Sequence, residues 1–195
     1  MSQTSSTPHA LSALARISLT LVFSAGAMIA ATAAEEGPPA DLKPAPMQAT
    51  APRFVSFWGP FTSEENPPLT ASNYRLISAM QCTGDYCDNV ALGYEIVPRI
   101  NFTENTWSPY FSEEGNNRQT CAGFMTGISC QGSYCDNVSI QCTLVSGLTK
   151  GSCAWQPWFS EEARYSYLPQ GYYAAGLACR GSYCDDFSIF ACQGL

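Results

Sequence analysis

Apolar residues in this chain gather in short runs broken by turn formers. Residues 74–82 (YRLISAMQC), 90–97 (VALGYEIV), 124–130 (FMTGISC), 138–145 (VSIQCTLV), 172–179 (YYAAGLAC) and 187–192 (FSIFAC) are rich in aromatic and β-branched side chains and bounded by Gly, Pro, Asn or Asp. The pattern predicts strands, because branched and flat side chains pack well on a pleated surface while the flanking residues favour turns. No window carries the apolar stripe at i, i+3, i+4 and i+7 that an amphipathic helix needs. The expected class is all-β.

The runs repeat in register with two signatures. Each copy opens on Trp-x-Pro-aromatic-x-Ser-Glu-Glu, at Trp58 to Glu65, Trp107 to Glu114 and Trp155 to Glu162, so the tryptophans lie 49 and 48 residues apart. Each copy then carries Cys-x-Gly-x-Tyr-Cys-Asp-Asn/Asp, at Cys82 to Asn89, Cys130 to Asn137 and Cys179 to Asp186, with first cysteines 48 and 49 residues apart. Two unrelated signatures keeping one period define three repeats, 54–102, 103–150 and 151–195. Each is expected to form a small antiparallel sheet. Such a sheet cannot bury its apolar face alone, so three are expected to pack around a pseudo-threefold axis as one domain, 54–195.

The segments before the repeats differ in kind. Residues 1–16 are polar and end in Arg16, and 17–34 (ISLTLVFSAGAMIAATAA) form an apolar run closing on Ala31-Thr32-Ala33. This matches a secretory signal peptide over 1–34, with an uncleaved membrane anchor as the alternative. Once it is cleaved, no remaining segment is expected to enter a membrane. Residues 35–53 (EEGPPADLKPAPMQATAPR) hold five prolines and few large apolar groups, the composition of an extended linker.

All ten cysteines lie beyond residue 80. In an exported chain an even number of cysteines indicates disulfides. The Cys-x-Gly-x-Tyr-Cys spacing pairs Cys82 with Cys87, Cys130 with Cys135 and Cys179 with Cys184, the glycine allowing the tight turn that brings the sulfurs together. Cys121 with Cys142 and Cys153 with Cys192 are the expected remaining pairs, although spacing alone leaves their connectivity open. A zinc site suits neither the spacing nor the compartment, and no metal ligands are assigned.

Charge and composition then narrow the chemistry. The formal charge is -7, with only Lys43 and Lys150 as lysines, which argues against nucleic acid or an anionic membrane as partner. The sole histidine, His9, sits in the leader, so the secreted chain has no Ser-His-Asp or Cys-His machinery. Carboxylates remain, in the Glu-Glu pairs and at Asp88, Asp136 and Asp185, but they recur three times, whereas a glycosidase pair occurs once. The plain interpretation makes Ser-Glu-Glu a solvated turn and Tyr-Cys-Asp-Asn a self-bonded loop. The functional one makes the glutamates a rim suited to Ca2+ or a basic partner. It also makes Tyr86, Asp88, Asn89, Tyr134, Asp136, Asn137, Tyr183, Asp185 and Asp186 a polar and aromatic set for sugar hydroxyls. Trp58, Trp107 and Trp155 are assigned to packing, and Trp158 to an exposed platform. Asn101-Phe-Thr103 and Asn137-Val-Ser139 match the glycosylation pattern, which matters only in a eukaryotic secretory pathway.

A tryptophan-bearing opening strand, a Gly-aromatic entry (Cys121-Ala-Gly123-Phe124, Gly171-Tyr172-Tyr173), a following glycine (Gly127, Gly176), and an Asp-Asn turn leading to a cysteine (Cys142, Cys192) resemble the vitelline membrane outer layer protein family. The chain departs from that family in its Cys-x-Gly-x-Tyr-Cys loop and Ser-Glu-Glu segment. The resemblance implies a β-prism of three Greek-key-like sheets in an extracellular protein of carbohydrate-rich coats. The alternative fold, a β-trefoil, lacks its usual Gln-x-Trp signature here. The expectation is therefore a secreted or periplasmic monomer, non-enzymatic, binding glycans or a cell-surface matrix. A carboxylate-dependent polysaccharide hydrolase and an inhibitor or coat protein are the alternatives.

Overall fold

The computed structural model describes residues 55–195. The leader and linker predicted for 1–34 and 35–53 lie outside these residues. Twelve strands form three four-stranded antiparallel sheets, the β-prism-like arrangement that the repeat requires. In the first sheet β1 (Phe57–Thr62), β4 (Asn89–Ile96) and β3 (Arg75–Thr83) lie side by side, and β10 (Tyr165–Tyr167) completes it. The second orders β5 (Asn101–Trp107), β8 (Asn137–Ser146), β7 (Phe124–Gln131) and β2 (Leu69–Thr70). The third orders β9 (Lys150–Trp155), β12 (Asp186–Gly194), β11 (Tyr172–Arg180) and β6 (Arg118–Thr120).

The repeats are thus not self-contained sheets, which corrects the simplest expectation. Each lends its short second strand to the sheet of the next repeat, and the third lends β10 back to the first. The exchange closes a ring. It covers one edge of each central hairpin with hydrogen bonds that the repeat could not supply alone.

The central hairpin is the same in all three repeats, down to a bulge at Ile77/Ala79, Met125/Gly127 and Ala174/Gly176. One face of each hairpin turns to the axis. Met80 with Leu92, Ile128 with Ile140 and Leu177 with Ile189 are cross-strand pairs, all buried and all in one continuous core. Each such side chain contributes about 1.5–3 kcal/mol of burial. A second cluster, with Leu76, Phe124 and Tyr173 at equivalent registers, fills another part of the interior.

All five expected disulfides form. The staples are not symmetry mates, contrary to the shared terminal cysteine inferred from sequence. Cys142 lies opposite Met125, whereas Cys192 lies opposite Tyr173, one register further along. In the third repeat Ala191 occupies the position of Cys142, and in the first Tyr94 does.

Candidate functional site at the axial tyrosines

The turns between the central strands bring the candidate residues together. Each is a short 3-10 turn, at Asp85–Cys87, Ser133–Cys135 and Ser182–Cys184, entered from a glycine with φ +83, +85 or +80° and ψ close to ±180°. That region is closed to residues with a Cβ. A Cβ on Gly84, Gly132 or Gly181 would stand 1.9, 1.9 or 1.8 Å from the Oδ1 of Asp88, Asp136 or Asp185. Within each turn the Tyr and the following Cys both adopt φ of 56–57°, left-handed backbone that L residues avoid. Two successive strained residues in each of three loops persist because a disulfide and neighbouring loops hold them.

The loops interlock around the axis. Cys87 Sγ lies 2.9 Å from the Asp185 carbonyl oxygen, Cys135 Sγ 3.1 Å from that of Asp88, and Cys184 Sγ 3.2 Å from that of Asp136. These disulfide sulfurs carry no proton, so the contacts are close packing in one rotational sense. The first glutamate of the Ser-Glu-Glu turns reaches across as well. Glu113 Oε1 accepts the Tyr183 backbone N–H at 3.0 Å, and Glu161 Oε2 lies 3.8 Å from Cys87 Sγ. The plain interpretation of these turns as solvated fails at Glu113, which bridges the second and third repeats. The only signal of this in the sequence is the constant phase between the two signatures. The sulfurs near Glu113 and Glu161 are disulfide-bonded, so neither grouping offers thiolate ligands to a metal.

At the centre stand Tyr86, Tyr134 and Tyr183. Their ring centroids form a nearly equilateral triangle, 5.3, 5.4 and 5.4 Å on a side, with interplanar angles of 58–63°. Edge-to-face packing of this kind satisfies the ring quadrupoles. The three remain 40, 39 and 41% exposed, so they are a surface, not a core. Among the described residues no hydrogen-bond partner is seen for their hydroxyls.

Asp and Asn flank the triad, and one repeat breaks the symmetry. Asn89 Nδ2 donates to Asp88 Oδ1 at 2.6 Å and Asn137 Nδ2 to Asp136 Oδ1 at 2.7 Å. The third repeat has Asp186 there, which has no donor to give, and Asp185 Oδ1 is buried without a partner. Asp186 turns instead to Arg180, its Oδ2 accepting from Nε at 3.0 Å. Burial, followed by the charges of Asp186, Glu161 and Glu162, pushes the Asp185 carboxyl up to about 6. Burial also raises Asp88, helped by Glu64 and Asp85.

A carboxyl raised in the folded state binds its proton more tightly there than in the unfolded chain. Asp185 therefore lowers stability above its folded value of about 6, and the loss is relieved as pH falls through that value toward the unfolded one of 3.8. Asp186→Asn removes the adjacent charge and supplies the missing donor, at the expense of a half-buried surface ion pair worth about 1 kcal/mol. Its melting temperature is expected to exceed that of the wild type at about pH 7.5, with a smaller gain on acidification to about pH 5. Identical pH profiles for the two proteins would contradict this account of Asp185.

No family model, curated protein or solved structure matches the chain.

The remaining sequence candidates fall elsewhere. Trp158 is buried at 3% exposure, because Arg180 lies over its ring at 4.5 Å; the first two repeats have Thr83 and Gln131 at that register, and there Phe61 and Tyr110 are exposed. It is not an exposed platform. Trp107, expected in the packing, is 41% exposed on β5. Trp58 packs as expected, edge-on to Tyr165 and Tyr167 of the lent strand β10. Asn101 is exposed, whereas the Asn137 amide is engaged and Ser139 is buried. A cleft of about 260 Å3 lies apart from the tyrosine loops, lined by Thr106, Thr120, Thr143 and a single carboxylate, Glu104.

Proposed function

We propose that this protein is a secreted, non-enzymatic module that recognises glycans through the cap formed by the three Tyr-Cys-Asp loops. The observation that carries the proposal is the exposed tyrosine triad with its unengaged hydroxyls, flanked by the Asp and Asn side chains. Aromatic faces beside convergent polar groups are the usual makings of a selective small-ligand site. The loops are held by disulfides and by one another, so little ordering is needed on binding. Five disulfides fit an oxidising compartment, where such a module would meet cell-surface sugars. The resemblance to the vitelline membrane outer layer proteins agrees with this proposal.

A hydrolase has one observation in its favour, the carboxyl of Asp185, which is pushed up to about 6. It requires turnover that Asp185→Asn abolishes while Asp88→Asn and Asp136→Asn spare it. The threefold recurrence of the set favours binding, since a catalytic pair has no use for two extra copies. A glycan array probed with the protein is the test. Retention on a defined subset of sugars is expected; retention on none, with and without Ca2+, would sink the proposal.

A further inference from the structure

We propose that the cap binds its glycan through a primary ammonium group, so that the ligand is an amino sugar with free amines and not a neutral or N-acetylated chain. This deepens the glycan proposal and rests on it.

The first argument is geometric. The rings stand 5.3–5.4 Å apart, too close to seat three ligands, so three repeats build one site. The three loops repeat one backbone geometry, so each repeat brings one phenol oxygen to the same axis. An R–NH3+ group offers three N–H donors about its own threefold axis and no acceptor. Its donors match the three phenol acceptors in number, which an amide N–H or a single hydroxyl cannot do.

The second argument is charge complementarity. The charges acting on Asp88 are those of Glu64 and Asp85, and those acting on Asp185 are Asp186, Glu161 and Glu162. All have one sign, and the nearby guanidinium of Arg180 is directed to Asp186 and Trp158. A neutral sugar leaves that repulsion in place, whereas a cation over the tyrosines relieves it and also meets the rings. A basic peptide fits less well. The cap is built from turns, and peptide recognition relies on a free sheet edge or a groove.

The test is calorimetric titration of the protein with a short glucosamine oligomer, its N-acetylated counterpart and a lysine peptide. The glucosamine oligomer is expected to bind with one site per chain and to weaken as salt is added. The acetylated oligomer is expected to bind about tenfold more weakly or less, because it loses hydrogen bonds from a charged donor. The joint variant Tyr86→Phe, Tyr134→Phe, Tyr183→Phe keeps the rings and removes the acceptors; it should lose affinity by about the same factor. Circular dichroism confirms its fold. Equal binding of both oligomers would overturn the ammonium proposal and leave the glycan proposal standing. Binding of the lysine peptide alone would overturn the sugar as its source. An undiminished triple variant would remove the site from the cap. If no oligomer binds while other array sugars do, only this inference fails; if no sugar binds at all, both fail.

Discussion

Gly132→Ala is expected to destabilise the domain by about 3 kcal/mol, read from equilibrium denaturation. The backbone at Gly132, φ +85° with ψ -169°, belongs to a region essentially reserved for glycine, and forcing alanine into it costs about 1–3 kcal/mol. The new methyl group would also stand 1.9 Å from Asp136 Oδ1. The carboxylate would have to turn away and give up the Asn137 amide, a further loss of about 1 kcal/mol. Domains of this kind have about 5–15 kcal/mol in total, so the loss is a large share. Gly84→Ala should behave alike, because its loop repeats the geometry, whereas Gly181→Ala should cost about 1 kcal/mol less, because Asp185 has no amide donor to give up. By contrast Gly115→Ala, where an added Cβ meets nothing within 4 Å, should change little. A Gly132→Ala protein as stable as the wild type would mean that the turn is not held as described.

Removing the Cys153–Cys192 staple with alanine at both positions should cost about 4 kcal/mol, against about 2 kcal/mol from chain entropy for one of the tight loops. The difference follows from the length of chain released in the unfolded state, since the staple spans 39 residues and each loop disulfide 5. The staple joins directly opposed residues of β9 and β12 and fastens the last strand to an edge strand. Urea denaturation of the double variant checks this. A midpoint unchanged from the wild type would show that the strands hold without it.

Much of the architecture was legible in the chain. The six runs named from alternating apolar and turn residues became the central strands β3, β4, β7, β8, β11 and β12, because a branched or aromatic run closed by Gly or Asp has few other options. The loop disulfides followed from a five-residue spacing with glycine inside. The lent strands did not show. β2 has two residues, β6 and β10 three each, too few for periodicity to declare itself, and nothing local tells which hairpin edge they join. Trp158 was misplaced because its burial depends on Arg180, a residue 22 positions later that reaches it only in the folded chain. At the cap, the residue types were readable and their assembly was not. Repetition pointed to Tyr86, Tyr134 and Tyr183, but only the closed ring of sheets brings them into one triangle.

The central claim is that this triangle is the binding face. Nuclear magnetic resonance of the tyrosine rings during titration with the glucosamine oligomer tests it most directly. The account predicts that Tyr86, Tyr134 and Tyr183 shift together and saturate at one equivalent, while Tyr110 and Trp107 on the exposed sheet surface stay still. Shifts confined to those outer residues or to the threonine cleft beside Glu104, with the three axial tyrosines unmoved, would contradict it.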